Sequence, residues 1–292
     1  MTFLPSAAKP QGEASRLSEG ITQEKNLAPP LEADAILARL PESRRIGRTI
    51  LVLEETGSTN DVAAQLGRAG APEGTAVFAE CQTAGRGRLS RRWESQARRG
   101  LWFSLLLRPA LAQADWARLT TWAAVGVARG LEEALPGCRA AIKWPNDIYL
   151  GGKKAVGILC ESAAGPGGYA VVGIGVNVNQ TRADFPAELQ ERATSLRNAS
   201  GGAPLDRHAA AAALLRQLDA LYPALEHDFA AVVAEAQARS LLMGRTLTVH
   251  TPCETYAALA EALEPDGSLR VRCADGSVRR VAGGEVSITG WQ

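Results

Sequence analysis

The chain has few of the residues that bind catalytic metals or build disulfide scaffolds. Its 292 residues include five cysteines and three histidines. The cysteines are widely spaced without a Cys-x-x-Cys pair, which excludes a zinc knuckle and a small disulfide-bonded fold and makes reduced, cytoplasmic thiols the expected state. No two histidines have the spacing of metal ligands, so we expect no histidine-bound catalytic metal.

Long apolar segments and a large net charge are also missing. No uninterrupted apolar run approaches the roughly 20 residues of a membrane helix, and the N-terminus lacks the pattern of a secretion signal. The net charge is only +1, which argues against bulk electrostatic capture of nucleic acid. We therefore expect a cytoplasmic protein that binds neither membrane nor nucleic acid.

Arginine and glycine are concentrated in one short segment, GRGRLSRRW at residues 85–93, which we call the arginine loop. Glycines let the backbone approach an anion closely, and guanidinium groups bind phosphate or carboxylate oxygens in pairs. Composition alone leaves two other interpretations open, a disordered nucleic-acid-binding segment and a solvated turn.

A second motif favours a ligand site. KWPNDIYL at residues 143–150 is followed by Gly151 and Gly152 and then by KKAVGIL at residues 153–159. We predict a hairpin here, because the two glycines supply the positive φ angles of a tight turn. The hairpin would bring amines, an amide and a carboxylate close to the ligand of the arginine loop.

In the order and spacing of its short motifs, the chain resembles the biotin protein ligases, which attach biotin to biotin-dependent carboxylases. The similarity covers nearly everything from residue 49 to the C-terminus. It is carried by short motifs, namely STN at 58–60, Gln82, the arginine loop, KWPND at 143–147, KAVGIL at 154–159, GIGVN at 173–177 and GGEVS at 283–287.

This resemblance implies an ATP-dependent, AMP-forming ligase. Such an enzyme converts biotin to biotinyl-5′-AMP and transfers it to a specific lysine of a biotin carboxyl carrier protein, of acetyl-CoA carboxylase or a related carboxylase. The implied cofactors are ATP, biotin and Mg²⁺, with the metal bound through the ATP phosphates and not at a protein metal site. Family members pair through sheet edges or not at all, so we expect a monomer or a homodimer.

Hydrophobic patterning predicts an α+β protein with a mixed, largely antiparallel sheet and helices. The resemblance implies the class II synthetase-like catalytic fold of biotin and lipoate ligases. Strands are predicted at residues 49–55, 75–82, 101–107, 140–143, 148–150, 155–160 and 169–178. Helices are predicted at residues 32–40, 60–69, 116–135 and 206–238.

Three parts are predicted along the chain. Residues 1–45 form an N-terminal extension, whose first 30 residues lack periodicity and are predicted to be disordered. Residues 46–243 form the catalytic domain, and the short strands of residues 244–292 a small β-barrel, which in the family is SH3-like. Some family members carry an N-terminal winged-helix domain that binds DNA. Because the segment before the core is short and rich in Pro and Ala, we expect the monofunctional type.

Roles for single residues follow from the resemblance. Neutral donors and acceptors at Ser58, Thr59, Asn60 and Gln82 suit the urea of biotin, although Ser58 or Thr59 could instead cap the following helix. The implied catalytic cations are Lys154, Arg86 and Arg88. The other implied biotin-binding residues are Gly85, Gly87 and Gly157.

The implied nucleotide-binding residues are Arg88, Arg91, Trp93, Lys143, Asn146, Asp147 and Asn177. Trp93 could stack on adenine or simply pack as an apolar ring. Asn146 and Asp147 could orient the nucleotide or its Mg²⁺, or order the turn after Pro145. We favour Lys154 over Lys153 because successive residues of a strand point to opposite faces.

Leu89 and Ser90 depart from the family pattern, which has arginine and then glycine at these positions. A positive φ at Ser90 would cost on the order of 1 kcal/mol, which would make closure of the loop slower or looser. We expect loop closure to be coupled to ligand binding, because the clustered arginines repel one another until an anion arrives.

Two alternatives to a biotin ligase remain. A lipoate ligase or octanoyl transferase would share the fold and would also modify a lysine of a carrier domain. An Arg/Gly nucleic-acid-binding protein belongs to another class, but aromatic stacking residues and basic patches do not recur along the chain.

Overall fold

Two β-sheets and the helices packed on them make up the described part of the chain. The computed structural model describes residues 28–251 and 253–288. The extension predicted to be disordered, residues 1–30, lies outside this range except for its last three residues. The described residues from Leu31 onwards belong to one compact unit.

The larger sheet is mixed and mostly antiparallel, as predicted. Its strands are β1 (Ile50–Thr56), β2 (Thr75–Gln82), β3 (Gly100–Leu107), β4 (Ala140–Lys143), β5 (Asp147–Leu150), β6 (Lys153–Ala163) and β7 (Tyr169–Asn177). They are arranged in the order β1-β2-β3-β7-β6-β5-β4. Strands β1 and β2 are parallel, and every other pair in this sheet is antiparallel.

Helices cover both faces of this sheet. They are α1 (Ala33–Leu37), α2 (Thr59–Arg68), α3 (Arg118–Ala134), α4 (Leu196–Ala199), α5 (Arg207–His227) and α6 (Phe229–Ala238), with 3-10 turns at Arg88–Ser90, Gln113–Asp115, Arg182–Asp184 and Ala187–Leu189. Phe78 of β2 belongs to the main core with α3 and α5, whereas its neighbour Val77 packs in a smaller core with α2. Within the described residues, no helix combines the length and apolarity needed to cross a membrane.

The prediction of one helix over residues 206–238 was wrong, because the chain forms two helices with Asp228 between them. Asp228 has a non-helical backbone (φ −145°, ψ 57°), and its side chain accepts a hydrogen bond from the N–H of Ala231 at the start of α6. Leu225 and Phe229 on either side are both buried, so the apolar pattern continues across the break. The predicted helix at residues 32–40 is the shorter α1.

The predicted hairpin is confirmed between β5 and β6. Gly151 and Gly152 have φ angles of 54° and 79°, which glycine adopts without the steric cost of a side chain. The strands on either side pair in antiparallel register. The hairpin thereby places the motif at residues 143–147 beside Lys154.

The second sheet has five antiparallel strands and agrees with the small β-domain predicted for the C-terminal residues. It consists of β8 (Thr246–His250), β9 (Thr255–Leu263), β10 (Leu269–Cys273), β11 (Val278–Val281) and β12 (Glu285–Ile288), in the order β11-β10-β9-β8-β12. Trp144 packs in the core of this sheet, where its indole N–H donates to the Gly267 carbonyl at 2.9 Å. A tryptophan of the 143–147 motif therefore links the two sheets.

A buried ion pair joins the core strands to the helical layer. Glu80 on β2 and Arg207 at the start of α5 are 1% and 3% exposed. The guanidinium contacts both carboxylate oxygens, at 2.5 and 3.0 Å, and the backbone N–H of Leu31 donates to the same carboxylate. Three separate parts of the chain thus meet at Glu80.

Replacing Glu80 by alanine should lower the free energy of unfolding by about 3–5 kcal/mol, because Arg207 would lose its buried counter-charge. The measurement is equilibrium denaturation in urea. Glu54→Ala is the matched control. Glu54 pairs with Arg98 at 3.2 Å but its side chain is 71% exposed, so its loss should cost at most about 1 kcal/mol. Equal losses in the two variants would contradict the expected difference.

Candidate functional site

Most of the predicted biotin-binding residues surround one small cavity, which we call the inner cavity. It has a volume of about 50 Å³ and lies between the start of α2, strands β6 and β7, and the arginine loop. The predicted residues that line it are Ser58, Thr59, Asn60, Gln82, Arg86, Gly87, Lys154 and Gly157. Gly85 and Arg88, which were predicted with them, are not part of its wall.

Neutral polar groups on the inner cavity form a connected network. The backbone N–H and the hydroxyl of Thr59 donate to Gln82 Oε1 at 2.8 and 3.1 Å. The Gln82 amide donates to the Ser95 hydroxyl at 3.0 Å. The hydroxyl of Ser104 lies 2.7 Å from Thr59 Oγ1 and 2.6 Å from Asn60 Oδ1. These contacts fix the orientation of the amide groups beside the cavity.

Helix capping does not account for the side chains at the start of α2. Ser58 occupies the position before the helix, but its side chain makes no capping hydrogen bond. The hydroxyl of Thr59 is instead bound to Gln82. The alternative interpretation of these residues as a simple cap is therefore not realised in the structure.

Trp93 covers the sheet beside the inner cavity. A β-carbon added to Gly157 would lie 2.8 Å from its ring, and one added to Gly175 would lie 2.6 Å from it. The ammonium of Lys154 is 5.5 Å from the ring centroid, within the range of a cation–π contact. In this structure Trp93 packs as an apolar ring, and glycine at residue 157 leaves space for it.

A larger outer cavity adjoins the inner one. Its volume is about 460 Å³. Five of the predicted nucleotide-binding residues line it, namely Arg91, Trp93, Lys143, Asp147 and Asn177. Lys154 lines both cavities. Arg88 and Asn146 do not line the outer cavity. Asn146 lines the inner cavity, and both residues border a small adjoining space of about 60 Å³ together with Lys154 and Asp147.

Lys154 and Lys153 have different surroundings. The Lys154 ammonium lies 2.7 Å from Asp147 Oδ1, with a side chain 32% exposed. Lys153 pairs with Glu191 at 3.2 Å and lines neither cavity. Nearby, burial lowers the pKa of Lys143, partly offset by the negative charges of Asp147 and Glu285. The site therefore holds two ammonium groups close to one partly buried carboxylate.

The arginines of the loop differ in their partners. Arg86 pairs with Asp61 at 2.7 Å, Arg91 with Glu285 at 2.6 Å, and Arg92 with Glu94 at 3.3 Å.

Arg88 is bound only by neutral oxygens among the described residues. Its guanidinium donates to Asn146 Oδ1 at 3.2 Å and to the Gly284 carbonyl at 2.9 Å. Burial lowers the pKa of Arg88, although Asp147 and Glu285 oppose this shift. Arg88 thus holds a partly buried positive charge without a carboxylate in direct contact.

Two residues at the tip of the loop have left-handed backbone conformations. The φ angles of Leu89 and Ser90 are 55° and 58°, so the positive φ considered for Ser90 extends to Leu89 as well. For residues other than glycine, asparagine and aspartate, the left-handed backbone conformation costs roughly 1–2 kcal/mol per residue. Leu89 is also 66% exposed. The closed loop therefore carries conformational strain at its tip.

Comparison with known proteins identifies the family. The family model for the Biotin/lipoate A/B protein ligase family matches residues 52–179. The bifunctional ligase/repressor BirA of Bacillus spizizenii is 37% identical over 246 residues, which cover 83% of this chain and 75% of the relative. The chain belongs to the biotin protein ligase family. The biotin--[acetyl-CoA-carboxylase] ligase of Mycobacterium tuberculosis is 32% identical over 254 residues, covering 85% of this chain and 92% of the relative.

Solved structures of biotin ligases have the same fold. The biotin protein ligase of Aquifex aeolicus in complex with biotin and ATP aligns with a TM-score of 0.71 at 29% identity, covering 82% of this chain and 98% of that one. The Leishmania major enzyme in complex with biotinyl-5-AMP aligns with a TM-score of 0.56 at 26% identity, covering 81% and 99%. The predicted fold class, a mixed sheet with helices followed by a small β-domain, is confirmed.

Sequence reasoning missed several residues of this biotin ligase that hold the site together. Ser104 is the one polar residue in the otherwise apolar strand β3, and a buried hydroxyl needs a partner, so it could have been found. The sequence around Asp61, Ser95 and Glu161 has no comparable pattern that would single these residues out. Their roles depend on partners 13 to 101 residues away in the chain. In the described residues, no group of three or more His, Cys, Asp or Glu side chains could hold a metal ion.

Gly157→Ala should destabilise this biotin ligase by about 1–3 kcal/mol, because the new methyl group would overlap the Trp93 ring. Thermal denaturation measures the loss, and a shift in tryptophan emission would report displacement of the ring. Gly57→Ala is the control, since a β-carbon there meets nothing within 4 Å. Unchanged emission in Gly157→Ala would show that Trp93 does not depend on this glycine.

Proposed function

We propose that this protein activates biotin with ATP as biotinyl-5′-AMP and then transfers the biotinyl group to a lysine of a biotin carboxyl carrier protein. One observation carries the proposal. A small cavity lined mainly by neutral groups and a larger cavity lined by charged groups of both signs meet at Lys154, which suits the joining of an acid with a neutral urea head to a nucleotide.

The inner cavity suits the ureido head of biotin. A urea is planar and neutral and has N–H donors on either side of a carbonyl acceptor. Ser58, Thr59, Asn60 and Gln82 offer hydroxyl and amide groups that can match it. Gly87 and Gly157 add no side chains to the lining of this cavity. The volume of about 50 Å³ has room for a few water molecules at most, so the arginine loop must move to admit the fused rings.

Cationic side chains can offset the repulsion between the biotin carboxylate and the ATP phosphates. The biotin carboxylate must approach the α-phosphate of ATP, and two like unit charges at about 4 Å repel by about 4 kcal/mol at an effective dielectric near 20. Lys154 and Arg88 border the same small space, where both could stabilise charge in the transition state. We propose that these two residues bracket the carboxylate and the phosphate.

The nucleotide would occupy the outer cavity. We propose that Arg91, Lys143, Asn146, Asp147 and Asn177 contact it. Mg²⁺ commonly binds through one or two carboxylates together with substrate phosphates, and Asp147 is the carboxylate that fits this description here. Bound there, the ion would neutralise phosphate charge.

The second step joins biotin to the carrier. The lysine amine attacks the acyl carbon of the adenylate, an amide bond forms, AMP leaves, and the amine loses a proton. The intermediate is a mixed anhydride that water can hydrolyse. The arginine loop and Trp93 lie over the site and would exclude water until the lysine arrives.

The proposal extends to the acceptor protein, the cellular location and the domain boundaries of this chain. The acceptor we propose is the carrier protein of acetyl-CoA carboxylase or a related carboxylase, and the location is the cytoplasm, where ATP is available. We also propose that residues 46–243 form the catalytic domain and residues 244–292 the C-terminal domain. The second sheet, whose first strand begins at Thr246, has its own hydrophobic core.

Exchange of labelled pyrophosphate into ATP tests the substrate. Biotin should support exchange, because adenylate formation is reversible, while lipoate and octanoate should not. Lipoate is included as a test substrate because the matching family model covers both biotin and lipoate ligases. Exchange with lipoate but not with biotin would refute the substrate assignment.

Lys154→Ala should reduce adenylate formation by a factor of about 100 to 1,000, the usual effect of removing one group that stabilises transition-state charge. Lys153→Ala is the matched control, since its side chain pairs with Glu191 outside the cavities, and it should keep nearly full activity. Single-turnover formation of biotinyl-5′-AMP is the measurement, with circular dichroism to verify folding. Similar losses in both variants would reject the role of Lys154.

A further inference from the structure

The Arg86 side chain is engaged by carboxylates outside the inner cavity. Its two terminal nitrogens contact the two oxygens of Asp61 at 2.8 and 2.7 Å, the bidentate geometry that a guanidinium prefers. Glu161 lies 3.5 Å from the same guanidinium, and it also accepts a hydrogen bond from Asn60 at 2.5 Å. Arg86 is therefore already neutralised by groups of the protein.

The backbone of Arg86 belongs to a short antiparallel pair within the arginine loop. The two arms of the arginine loop pair through Gly87 N–H to Arg91 O, at 2.7 Å, and Trp93 N–H to Gly85 O, at 3.0 Å. Arg86 and Arg92 are opposed between these bonds as an antiparallel bridge. Residues in such a non-hydrogen-bonded pair direct their own N–H and C=O away from each other. Arg86 and Gly87 are also both lining residues of the inner cavity.

Asp61 is well placed to fix this wall. It lies in the first turn of α2, directly after Asn60, which lines the same cavity. The hydrogen bond from Arg86 is the main cause that lowers the pKa of the Asp61 carboxyl, so Asp61 is ionised at neutral pH. One end of the arginine loop is thereby tied to the helix that carries the neutral polar residues.

We propose that Asp61 is a positioning residue for biotin binding, which holds the Arg86 guanidinium in an ion pair and so fixes the position of residues 86 and 87 in the wall of the inner cavity. This inference rests on the proposed function. It departs from the sequence-based expectation that the Arg86 guanidinium is a catalytic cation. Within the arginine loop, that role falls to Arg88.

Local charge favours this assignment. If Arg86 turned towards the biotin carboxylate, Asp61 and Glu161 would lose their counter-charge and would repel the same ligand. Arg88 has neutral partners, so an anion can approach it without displacing a carboxylate.

A double-mutant cycle on biotin affinity, without nucleotide, tests the proposal. The variants are Asp61→Asn, Arg86→Gln and the double variant, and the probes are biotin and its neutral primary amide, measured by calorimetry. Each single variant should weaken binding by about two- to fivefold, the range expected for a partly exposed ion pair. The double variant should bind no more weakly than either single variant, and the losses should be the same for biotin and its amide.

Two controls separate positioning from general effects. Asp61→Glu keeps a carboxylate and should retain more affinity than Asp61→Asn. Glu54→Gln removes the carboxylate of the Arg98 ion pair, whose distance is 3.2 Å, and should leave biotin affinity unchanged. In a second readout, trypsin should cleave the arginine loop of ligand-free Asp61→Asn faster than that of Glu54→Gln.

Several outcomes would overturn the inference. If Arg86→Gln weakened binding of biotin but not of its amide, the guanidinium would bind the carboxylate directly. Additive losses in the double variant, or tighter binding by Asp61→Asn, would exclude a joint positioning role. Failure of the wild-type protein to bind either probe would instead reject the proposed function itself, together with this inference.

Discussion

The site depends on holding the Lys154 ammonium at the junction of the inner and the outer cavity. The glycine turn between β5 and β6 places Lys154 in register with Tyr149, two residues from Asp147 along the neighbouring strand. The ion pair of 2.7 Å with Asp147 fixes the Lys154 side chain. Its backbone is also bound, donating to Arg192 O at 2.9 Å and accepting from Thr194 N–H at 2.8 Å. The segment that Lys154 binds in this way is itself a wall of the outer cavity, so one residue links the sheet, the inner cavity and the outer cavity.

The arginine loop connects parts of the protein that are far apart in sequence. Arg86 ties its first arm to Asp61 of α2. Arg88 and Arg91 tie its tip to Gly284 and Glu285 at the start of β12. Because these contacts reach both helix α2 and the C-terminal sheet, opening of the loop would break contacts to both.

Local features of the chain could be predicted, and features that depend on distant partners could not. The hairpin at Gly151 and Gly152 and the buried strands follow from turn chemistry and apolar runs. The break at Asp228 was hidden because apolar residues continue on both sides of it. The pairing of Arg91 with Glu285 spans 194 residues, and no local pattern indicates it. The sequence motifs therefore named residues that the fold brings together around two cavities, while the distinction between arginines with and without a carboxylate partner required the fold.

That distinction has an energetic consequence for the loop. A partly buried guanidinium without a carboxylate pays a desolvation cost, and left-handed Leu89 and Ser90 add about 1–2 kcal/mol each. Contacts to Gly284 and Glu285 offset this cost. An anion at Arg88 would supply the missing counter-charge, so the closed loop gains stability when carboxylate or phosphate is present. The segment just before β12, which holds Arg88 in place through the Gly284 carbonyl, would thus contribute to the proposed anion site.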